Sequence, residues 1–332
     1  MRSGFEIAHS IQMTAYGAPG VLVWAAVDLP PLRPDEVRLR TIAAAVNFTD
    51  LEIRAGHWPI RKPDPFPYTP GVEVVGEIAD LGSRVTGLVP GERVMTMMQG
   101  LGGVRGERPG GYAEYVTVAA EAVAPTGPVV DPYVMAAFGL GGVTAFEGLL
   151  RLGPLAGRQV MVTGAAGGVG SAAVTIAKAQ GATVTGIVTR AEQAEYVRSL
   201  GADDIIVCPR GAPADFGTAR VDGILDTVGA PLFAQCLDAL TAGGTLSLVG
   251  AVGGSDVHFD LWDLIRPVTL TGYSSESLDG QALRRAVAAL GGWVADGTLT
   301  PPHFQTLQLT EAARAHALLE GRGVTGRVLL VP

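Results

Sequence analysis

The sequence feature that most constrains the fold is a glycine-rich turn near the middle of the chain. An apolar strand at 159–164 leads into Ala165, Gly167 and Gly170 and then into a helix, in the segment VMVTGAAGGVGSAAVTIAKAQGATV. Glycines in such a turn let the backbone approach a pyrophosphate closely, and the start of the helix offers N–H groups and positive potential to it. Because a second strand follows this helix, the pattern favours dinucleotide binding over a simple tight turn.

The segments around and after this turn alternate apolar strands with amphipathic helices. The strand segments are QVMVTG, TVTGIV, DIIV, GILDTV and TLSLVG. Such alternation predicts a parallel, doubly wound sheet with helices on both faces. We therefore expect a nucleotide-binding domain over residues 126–267.

The first part of the chain reads as short β-rich pieces separated by Pro-Gly and Gly-Gly turns. These pieces are VEVVGEI at 72–78, ERVMTM at 92–97 and YAEYVTV at 112–118. The pattern predicts an irregular, mostly antiparallel, barrel-like domain. The last segments, with a strand TLTGY, two helices near 280–296 and 310–320 and a strand GRVLLVP, are expected to complete it. The predicted catalytic domain thus spans residues 1–125 and 268–332, and 332 residues suffice for two cores.

Composition excludes several classes of function. The net charge is −8 and no basic run offsets it, so nucleic acid is a poor candidate partner. No apolar run approaches the roughly 20 residues of a membrane span, and the N-terminus lacks a signal-peptide pattern. Cys208 and Cys236 lack the spacing of a metal site or a disulfide framework. The sequence predicts a cytoplasmic protein with a small-molecule partner and no membrane partner.

The end of the second strand bears on cofactor choice. An acid at this position accepts hydrogen bonds from the ribose 2′-OH of NAD and repels the 2′-phosphate of NADP. This chain carries Thr189 and Arg190 instead, which favours NADPH with Arg190 paired to the phosphate. Gln193 is a further candidate hydrogen-bond donor. The alternative for Arg190 is a solvated surface side chain.

Several motifs in the chain occur in an order that resembles the medium-chain dehydrogenase/reductase superfamily. They are NFTDLEIRAG at 47–56, PGVEVVGEI at 70–78, PGERV at 90–94, GGYAEY at 110–115 and GGVTAFEGLL at 141–150. The resemblance runs from about residue 11 to residue 332. It implies an α/β fold in which a Rossmann doubly wound parallel sheet is inserted into a GroES-like, mostly antiparallel β catalytic domain. It also implies a homodimer.

The positions that hold zinc in alcohol dehydrogenases of this superfamily carry other residues here. A cysteine is replaced by Asn47, a histidine by Val72 and a third ligand by Gly141. The stretch around 95–110, which corresponds to the structural zinc lobe, contains no cysteine, and such a site needs four N or S donors. We expect no metal. The chain is similar to the zinc-free quinone oxidoreductase branch, which implies an NADPH-dependent reductase of quinones or related conjugated carbonyls.

The resemblance extends the set of expected cofactor-binding residues beyond the glycine-rich turn. That set is Thr144, Ala165, Gly167, Gly168, Val169, Gly170, Thr189, Arg190, Gln193, Val249, Gly250 and Arg327.

Hydride reduction of a quinone needs a positioned cofactor and a group that stabilises the oxyanion formed. Asn47 is the first candidate for a donor to the carbonyl oxygen. The alternative for Asn47 is a turn cap. Thr49 occupies the place of the hydroxyl that relays a proton in the zinc relatives, although its hydroxyl has the alternative of bonding to the backbone.

Three residues are expected to line the substrate pocket: Trp58, Gly141 and Met97. Trp58 stands where enoyl thioester reductases of the superfamily carry a proton-donating tyrosine, and because indole is not comparably acidic this argues against enoyl thioester reduction. Trp58 is either a stacking wall for a planar ring or local packing. Met97, with the glycine-rich loop at 100–111, forms either a pocket lid or part of a core strand.

Two acids near Asn47 have structural interpretations. Glu73 is expected to be structural, with a neighbouring arginine as its partner, and Asp50 and Arg54 are expected to form a local ion pair on a helical turn. Two further functions remain open: reduction of the double bond of a 2-alkenal or enone, and NADPH binding without turnover, as in a sensor or a structural protein.

Overall fold

The structure is a computed structural model that describes residues 7–58, 60–61, 65–98, 100, 107–212, 215–322 and 324–332. The chain forms two compact units. Unit 1 consists of Met1–Leu140, Glu276–Ala295 and His303–Pro332, and unit 2 consists of Gly141–Ser275 and Asp296–Pro302.

The helices and strands of the described residues follow in chain order. The strands are β1 Ile7–Gln12, β2 Val23–Asp28, β3 Glu36–Ala45, β4 Glu73–Leu81, β5 Arg93–Met97, β6 Tyr115–Ala119, β7 Ala124–Pro125, β8 Gln159–Val162, β9 Thr183–Val188, β10 Asp204–Val207, β11 Val221–Asp226, β12 Leu240–Leu248, β13 Thr269–Gly272, β14 Phe304–Gln308 and β15 Arg327–Val331. The helices are α1 Phe48–Ala55, α2 Pro132–Leu150, α3 Gly168–Ala179, α4 Gln193–Ser199, α5 Phe233–Ala239, α6 Gly280–Ala295 and α7 Ala312–Glu320.

Unit 1 contains a mostly antiparallel sheet in the order β14-β15-β3-β4-β5-β7, with β6 also paired to β3. The long strand β3 pairs antiparallel with β4, β6 and β15. Its register with β4 shifts twice, and such bulges bend a sheet and increase its twist. The antiparallel architecture expected for this part of the chain is confirmed.

Unit 2 contains a fully parallel sheet in the order β10-β9-β8-β11-β12-β13. Val160, Met161 and Val162 of β8 are each 0% exposed, which is typical of a parallel strand covered on both faces. The chain runs outward from β8 to β10 and then returns to β11 on the other side of β8. The predicted doubly wound parallel sheet is confirmed, and its topological switch point lies between β8 and β11.

The two units divide the chain at positions that the sequence did not indicate. The sequence placed boundaries at residues 125 and 268, but β13 pairs in parallel with β12 and so extends the sheet of unit 2. Residues 126–140 lie in unit 1, and Asp296–Pro302 lies in unit 2, where the Thr300 N–H donates to Thr175 Oγ1 over 3.1 Å. These assignments depend on strand pairing and on contacts between distant residues, which hydrophobic patterns do not encode.

Helix α2 is the one helix among the described residues that is long and apolar enough to cross a membrane. Of the 18 consecutive residues that form its most apolar stretch, 83% are buried in the structure, which is typical of a core helix. The helix is interrupted at Gly139, whose φ of 42° and ψ of −142° lie outside the helical region. Glycine is the residue that tolerates such a conformation without strain.

Candidate active site

The glycine-rich turn connects β8 to α3 at the carboxyl edge of the parallel sheet. Gly167 is the exposed N-terminal cap of α3, and a Cβ atom added to Gly170 would collide with the Gly164 carbonyl. Gly141 packs against the same turn, because a Cβ atom there would lie 2.6 Å from the Gly168 carbonyl oxygen. The turn is therefore closely packed at Gly141 and Gly170 and exposed to solvent at Gly167. This arrangement fits the close backbone approach that a pyrophosphate requires.

The turn after β9 contains the residues expected to distinguish NADPH from NADH. The Gln193 side-chain oxygen accepts hydrogen bonds from the Thr189 N–H at 3.2 Å, the Thr189 hydroxyl at 3.3 Å and the Arg190 N–H at 3.2 Å. Gln193 thus closes this turn through its oxygen. The Arg190 side chain is exposed and forms no ion pair with a described residue, so its guanidinium is accessible to an anionic ligand.

The remaining residues expected to bind cofactor in unit 2 lie on two other elements. Thr144 is 6% exposed on α2. Val249 and Gly250 directly follow β12, and the Val249 N–H donates to the Asp226 carbonyl over 2.8 Å. Val249 and Gly250 thus stand at the carboxyl edge of the sheet, on the same edge as the glycine-rich turn.

Asn47 lies in unit 1, where it precedes α1, and its side chain is fully hydrogen-bonded. Its amide nitrogen donates to Glu73 Oε1 at 2.7 Å and to the Ala45 carbonyl at 3.2 Å. Its amide oxygen accepts from Arg327 Nη2 at 3.1 Å. Both N–H groups of the Asn47 amide are thus engaged, so a hydrogen bond from Asn47 to a substrate oxygen requires one of these two bonds to break. The bond to the Ala45 carbonyl is the longer one and breaks at the lower cost.

Glu73 joins three segments of unit 1 through its buried carboxylate. It pairs with Arg327 at 2.7 Å, accepts from Asn47 and accepts from the Leu140 N–H. The expected arginine partner is confirmed, and it is Arg327, a residue that the sequence assigned to cofactor binding. A Cβ atom at Gly139 would collide with this carboxylate. Burial raises the pKa of Glu73, while Arg327 and Asn47 oppose that rise.

Asp50 connects the start of α1 to the start of β4. Its carboxylate accepts from the Asn47 N–H and from the Val72 N–H, each at 2.9 Å. Burial raises the pKa of Asp50 to about 7. The expected ion pair with Arg54 is wrong, because this carboxylate turns back to cap α1 while Arg54 pairs with Glu320 on α7.

A buried tyrosine and histidine extend this polar network, and the sequence did not single them out. The Tyr112 hydroxyl lies 3.2 Å from His316 Nε2, and the two rings meet edge to face. Burial and the nearby charge of Arg54 lower the pKa of His316 to about 3, so the imidazole is neutral. Isolated tyrosine and histidine residues carry no sequence signal for such a pairing across the chain.

The other residues expected at the site occupy varied environments. Thr49 is half-buried in the first turn of α1, and Trp58 is half-buried just after this helix. Met97 is 1% exposed on β5, directly opposite Glu73 of β4. Residues 101–106 of the glycine-rich loop named with Met97 lie outside the described residues.

The donor set does not fit zinc. Asn47, Val72 and Gly141 supply no thiolate or imidazole, and the described residues contain no group of three His, Cys, Asp or Glu side chains that could hold a metal. The two cysteines, Cys208 and Cys236, both pack in the hydrophobic core of unit 2. We therefore derive no chemical step through a metal ion.

Comparison with known proteins agrees with these features. Residues 33–128 match the alcohol dehydrogenase GroES-like domain family, and residues 168–289 match the zinc-binding dehydrogenase family. A quinone oxidoreductase of Lama guanicoe is 30% identical over 339 residues, which cover 100% of this chain and 99% of that protein. The chain belongs to the medium-chain dehydrogenase/reductase superfamily. The resemblance noted in the sequence is confirmed.

Other members of this superfamily refine its place. The solved quinone oxidoreductase of Coxiella burnetii has a TM-score of 0.82 and 25% identity, covering 98% of this chain and 100% of that chain. That of Pseudomonas syringae pv. Tomato DC3000 has a TM-score of 0.85 and 26% identity, with the same coverage. An acryloyl-coenzyme A reductase of Metallosphaera sedula is 30% identical over 327 residues, covering 92% of this chain and 94% of that protein. This dehydrogenase/reductase thus lies in the quinone oxidoreductase branch.

Proposed function

We propose that this protein is an NADPH-dependent oxidoreductase that reduces quinones or related conjugated carbonyls without zinc. The observation that carries the proposal is the glycine-rich turn at the carboxyl edge of the parallel sheet, combined with an accessible Arg190 where an acid would favour NADH. Similarity to quinone oxidoreductases along the whole chain supports the same reaction.

The residues of unit 2 would hold NADPH at its phosphates, and the bound cofactor would supply the hydride. The N–H groups of Gly168 and Val169, in the first turn of α3, suit the pyrophosphate because they have no partner within the helix. The Arg190 guanidinium suits the 2′-phosphate, since it is a planar, permanently charged donor.

The residues of unit 1 would act on the substrate oxygen. Asn47 is the proposed donor to the developing oxyanion, with its bond to Glu73 kept so that the amide retains its orientation. Thr49 is the proposed group that passes a proton to the reduced product. Trp58 and Met97 of unit 1, and Gly141 of unit 2, remain proposed pocket residues.

A substrate panel tests this proposal. We expect kcat/KM with NADPH to be higher for para-benzoquinone and phenanthrenequinone than for a 2-alkenal. A strong preference for the alkenal would contradict the quinone assignment and indicate double-bond reduction instead. Cofactor binding without turnover of any electrophile would indicate a sensor.

A second candidate function is reduction of a conjugated carbon–carbon double bond. It is favoured by the similarity to the acryloyl-coenzyme A reductase of Metallosphaera sedula. Trp58 weighs against the enoyl thioester form of this reaction, because its indole cannot donate a proton as a phenol does. Acryloyl-coenzyme A is therefore included in the panel, and its turnover above that of both quinones would favour this candidate.

A further inference from the structure

Two strands meet at the switch point of the parallel sheet, and a pair of side chains joins their carboxyl ends. Thr163 directly follows β8 and Asp226 ends β11, and both are 0% exposed. The Thr163 hydroxyl donates to Asp226 Oδ1 over 2.6 Å. The same carboxylate oxygen accepts from the N–H groups of Val228 at 2.9 Å and Gly229 at 3.2 Å. One oxygen thus ties β8 to the turn that follows β11.

Thr227 adds two more bonds to this junction. Its N–H donates to Thr163 Oγ1 and its hydroxyl donates to the Thr163 carbonyl, each over 2.9 Å. Thr163 is therefore fixed by hydrogen bonds both to its side-chain hydroxyl and to its backbone carbonyl. Because Gly164 comes next, the bonds fix the residue from which the glycine-rich turn departs.

Thr227 also touches both of the turns expected to bind the cofactor. A Cβ atom at Gly164 would lie 2.5 Å from the Thr227 hydroxyl, and one at Gly250 would lie 2.9 Å from the Thr227 carbonyl oxygen. The Val249 N–H donates to the Asp226 carbonyl over 2.8 Å. The spacing between these two turns is thus set by the segment that Asp226 and Thr163 hold.

Asp226, like Asp50, is a buried acid with no cationic partner among the described residues. Glu73 pairs with Arg327, whereas burial raises the pKa of Asp226 and only the donors of Thr163, Val228 and Gly229 oppose that rise. The titratable group that faces Asp226 is the Cys236 thiol of α5. The second carboxylate oxygen of Asp226, Oδ2, is buried and has no hydrogen-bond partner in the part of the chain that the structure describes. Burying an acid without a cation is costly, so the hydrogen bonds from Thr163, Val228 and Gly229 are what hold Asp226 in place.

We infer that Asp226 and Thr163 are positioning residues for the dinucleotide, holding the glycine-rich turn and the Val249–Gly250 turn at the spacing that the cofactor needs. The inference rests on the proposed function of unit 2 as an NADPH-binding unit. Neither residue contacts the cofactor in this scheme, since both are fully buried. Their effect passes through Gly164 and Thr227.

The same strands offer a matched control at their opposite ends. Asp222 near the amino end of β11 accepts from the Gln159 N–H of β8 at 2.9 Å and from the Thr241 hydroxyl of β12 at 3.2 Å. Its carboxylate, which is half-buried, joins β11 to β8 and β12 on the edge away from the glycine-rich turn. Loss of Asp222 therefore reports the cost of an inter-strand bond without a change at the predicted cofactor turns.

The test measures the Kd of NADPH by fluorescence titration, together with urea unfolding, for the full chain and its variants. We expect D222A and D226A both to lower stability, and D226A alone to weaken NADPH binding by about tenfold or more. D226N should bind NADPH within about threefold of wild type, because it keeps the oxygen that accepts from Thr163, Val228 and Gly229, and it should lower stability, because its buried amide N–H groups lack an acceptor. T163V, which lacks the hydroxyl, should weaken NADPH binding. T163S, which keeps the hydroxyl, should bind NADPH as the wild type does.

The measurements have outcomes that would overturn this positioning role, and they separate its failure from that of the proposed function. Equal weakening by D222A and D226A, or no weakening by D226A, overturns the positioning role. If D226A does not fold, wild-type affinity in T163V overturns it. If the wild-type chain binds NADPH and the variants do not differ, the positioning role alone fails. Failure of the wild-type chain to bind NADPH overturns the proposed function, and the positioning role with it.

Discussion

At the scale of single residues, Asn47, which stands at one of the former zinc positions, belongs to a buried hydrogen-bonded group with Glu73 and Arg327. The buried guanidinium of Arg327 supplies the positive charge that Glu73 needs. The motif predicted that Glu73 is structural. It did not predict that Arg327 is the partner, because the two residues are far apart in sequence.

Removal of the Glu73 charge should be strongly destabilising. E73Q leaves Arg327 buried with no carboxylate, and breaking a buried pair in this way costs about 3–5 kcal/mol. Urea unfolding measures the change in the free energy of unfolding. The matched control is E77Q on the same strand, because Glu77 pairs with Arg40 in a largely exposed bridge worth roughly 0–1 kcal/mol. Similar losses in both variants would contradict the importance assigned to the buried pair.

Arg190 should control cofactor choice. R190A removes the guanidinium proposed for the 2′-phosphate, so we expect KM for NADPH to rise at least about tenfold while KM for NADH changes little. Steady-state kinetics with both cofactors measures this. R198A, which removes another exposed arginine from the same region, serves as the control. An unchanged NADPH preference in R190A would show that this side chain is only a solvated surface group.

At the scale of secondary-structure elements, α7 contributes a neutral histidine to the interior of unit 1. His316 on α7 meets Tyr112, which lies between β5 and β6, and Arg54 on α1 pairs with Glu320 at the end of α7. The sequence predicted helices near 280–296 and 310–320, and α6 and α7 confirm them. It did not predict their polar contacts, because helix periodicity identifies an apolar face and not a single buried polar partner.

His316 should lower the stability of the protein in acid, whereas Asp50, whose pKa is raised to about 7, contributes in the opposite direction over part of the same pH range. Its pKa is about 3 in the folded protein against an ordinary 6.5, so below pH 6.5 the unfolded chain takes up a proton that the folded protein does not. Stability is therefore lost as pH falls from 6.5 towards 3, by at most about 1.4 kcal/mol per pH unit from this group. The difference in the free energy of unfolding between H316Q and wild type, measured by urea unfolding, should therefore shift in favour of H316Q as pH falls from 7 to 4. A difference that does not change with pH would contradict the role of His316.

At the scale of the whole molecule, the sequence predicted both sheets but not where the chain passes between the units. Strand composition and glycine spacing are local properties, so the parallel sheet and the antiparallel sheet follow from them. Attachment of β13 to β12 and the Thr163–Asp226 bond join residues distant in sequence, and no local pattern indicates them. The homodimer remains a prediction from the resemblance.

The most direct test of the account is the rate of reduced-nicotinamide oxidation by the purified chain with phenanthrenequinone, using NADPH and NADH in parallel, before and after treatment with a metal chelator. We predict turnover that resists the chelator and a kcat/KM at least about tenfold higher with NADPH than with NADH. Loss of activity on chelation would contradict the zinc-free assignment of Asn47, Val72 and Gly141. Preference for NADH would contradict the role of Arg190.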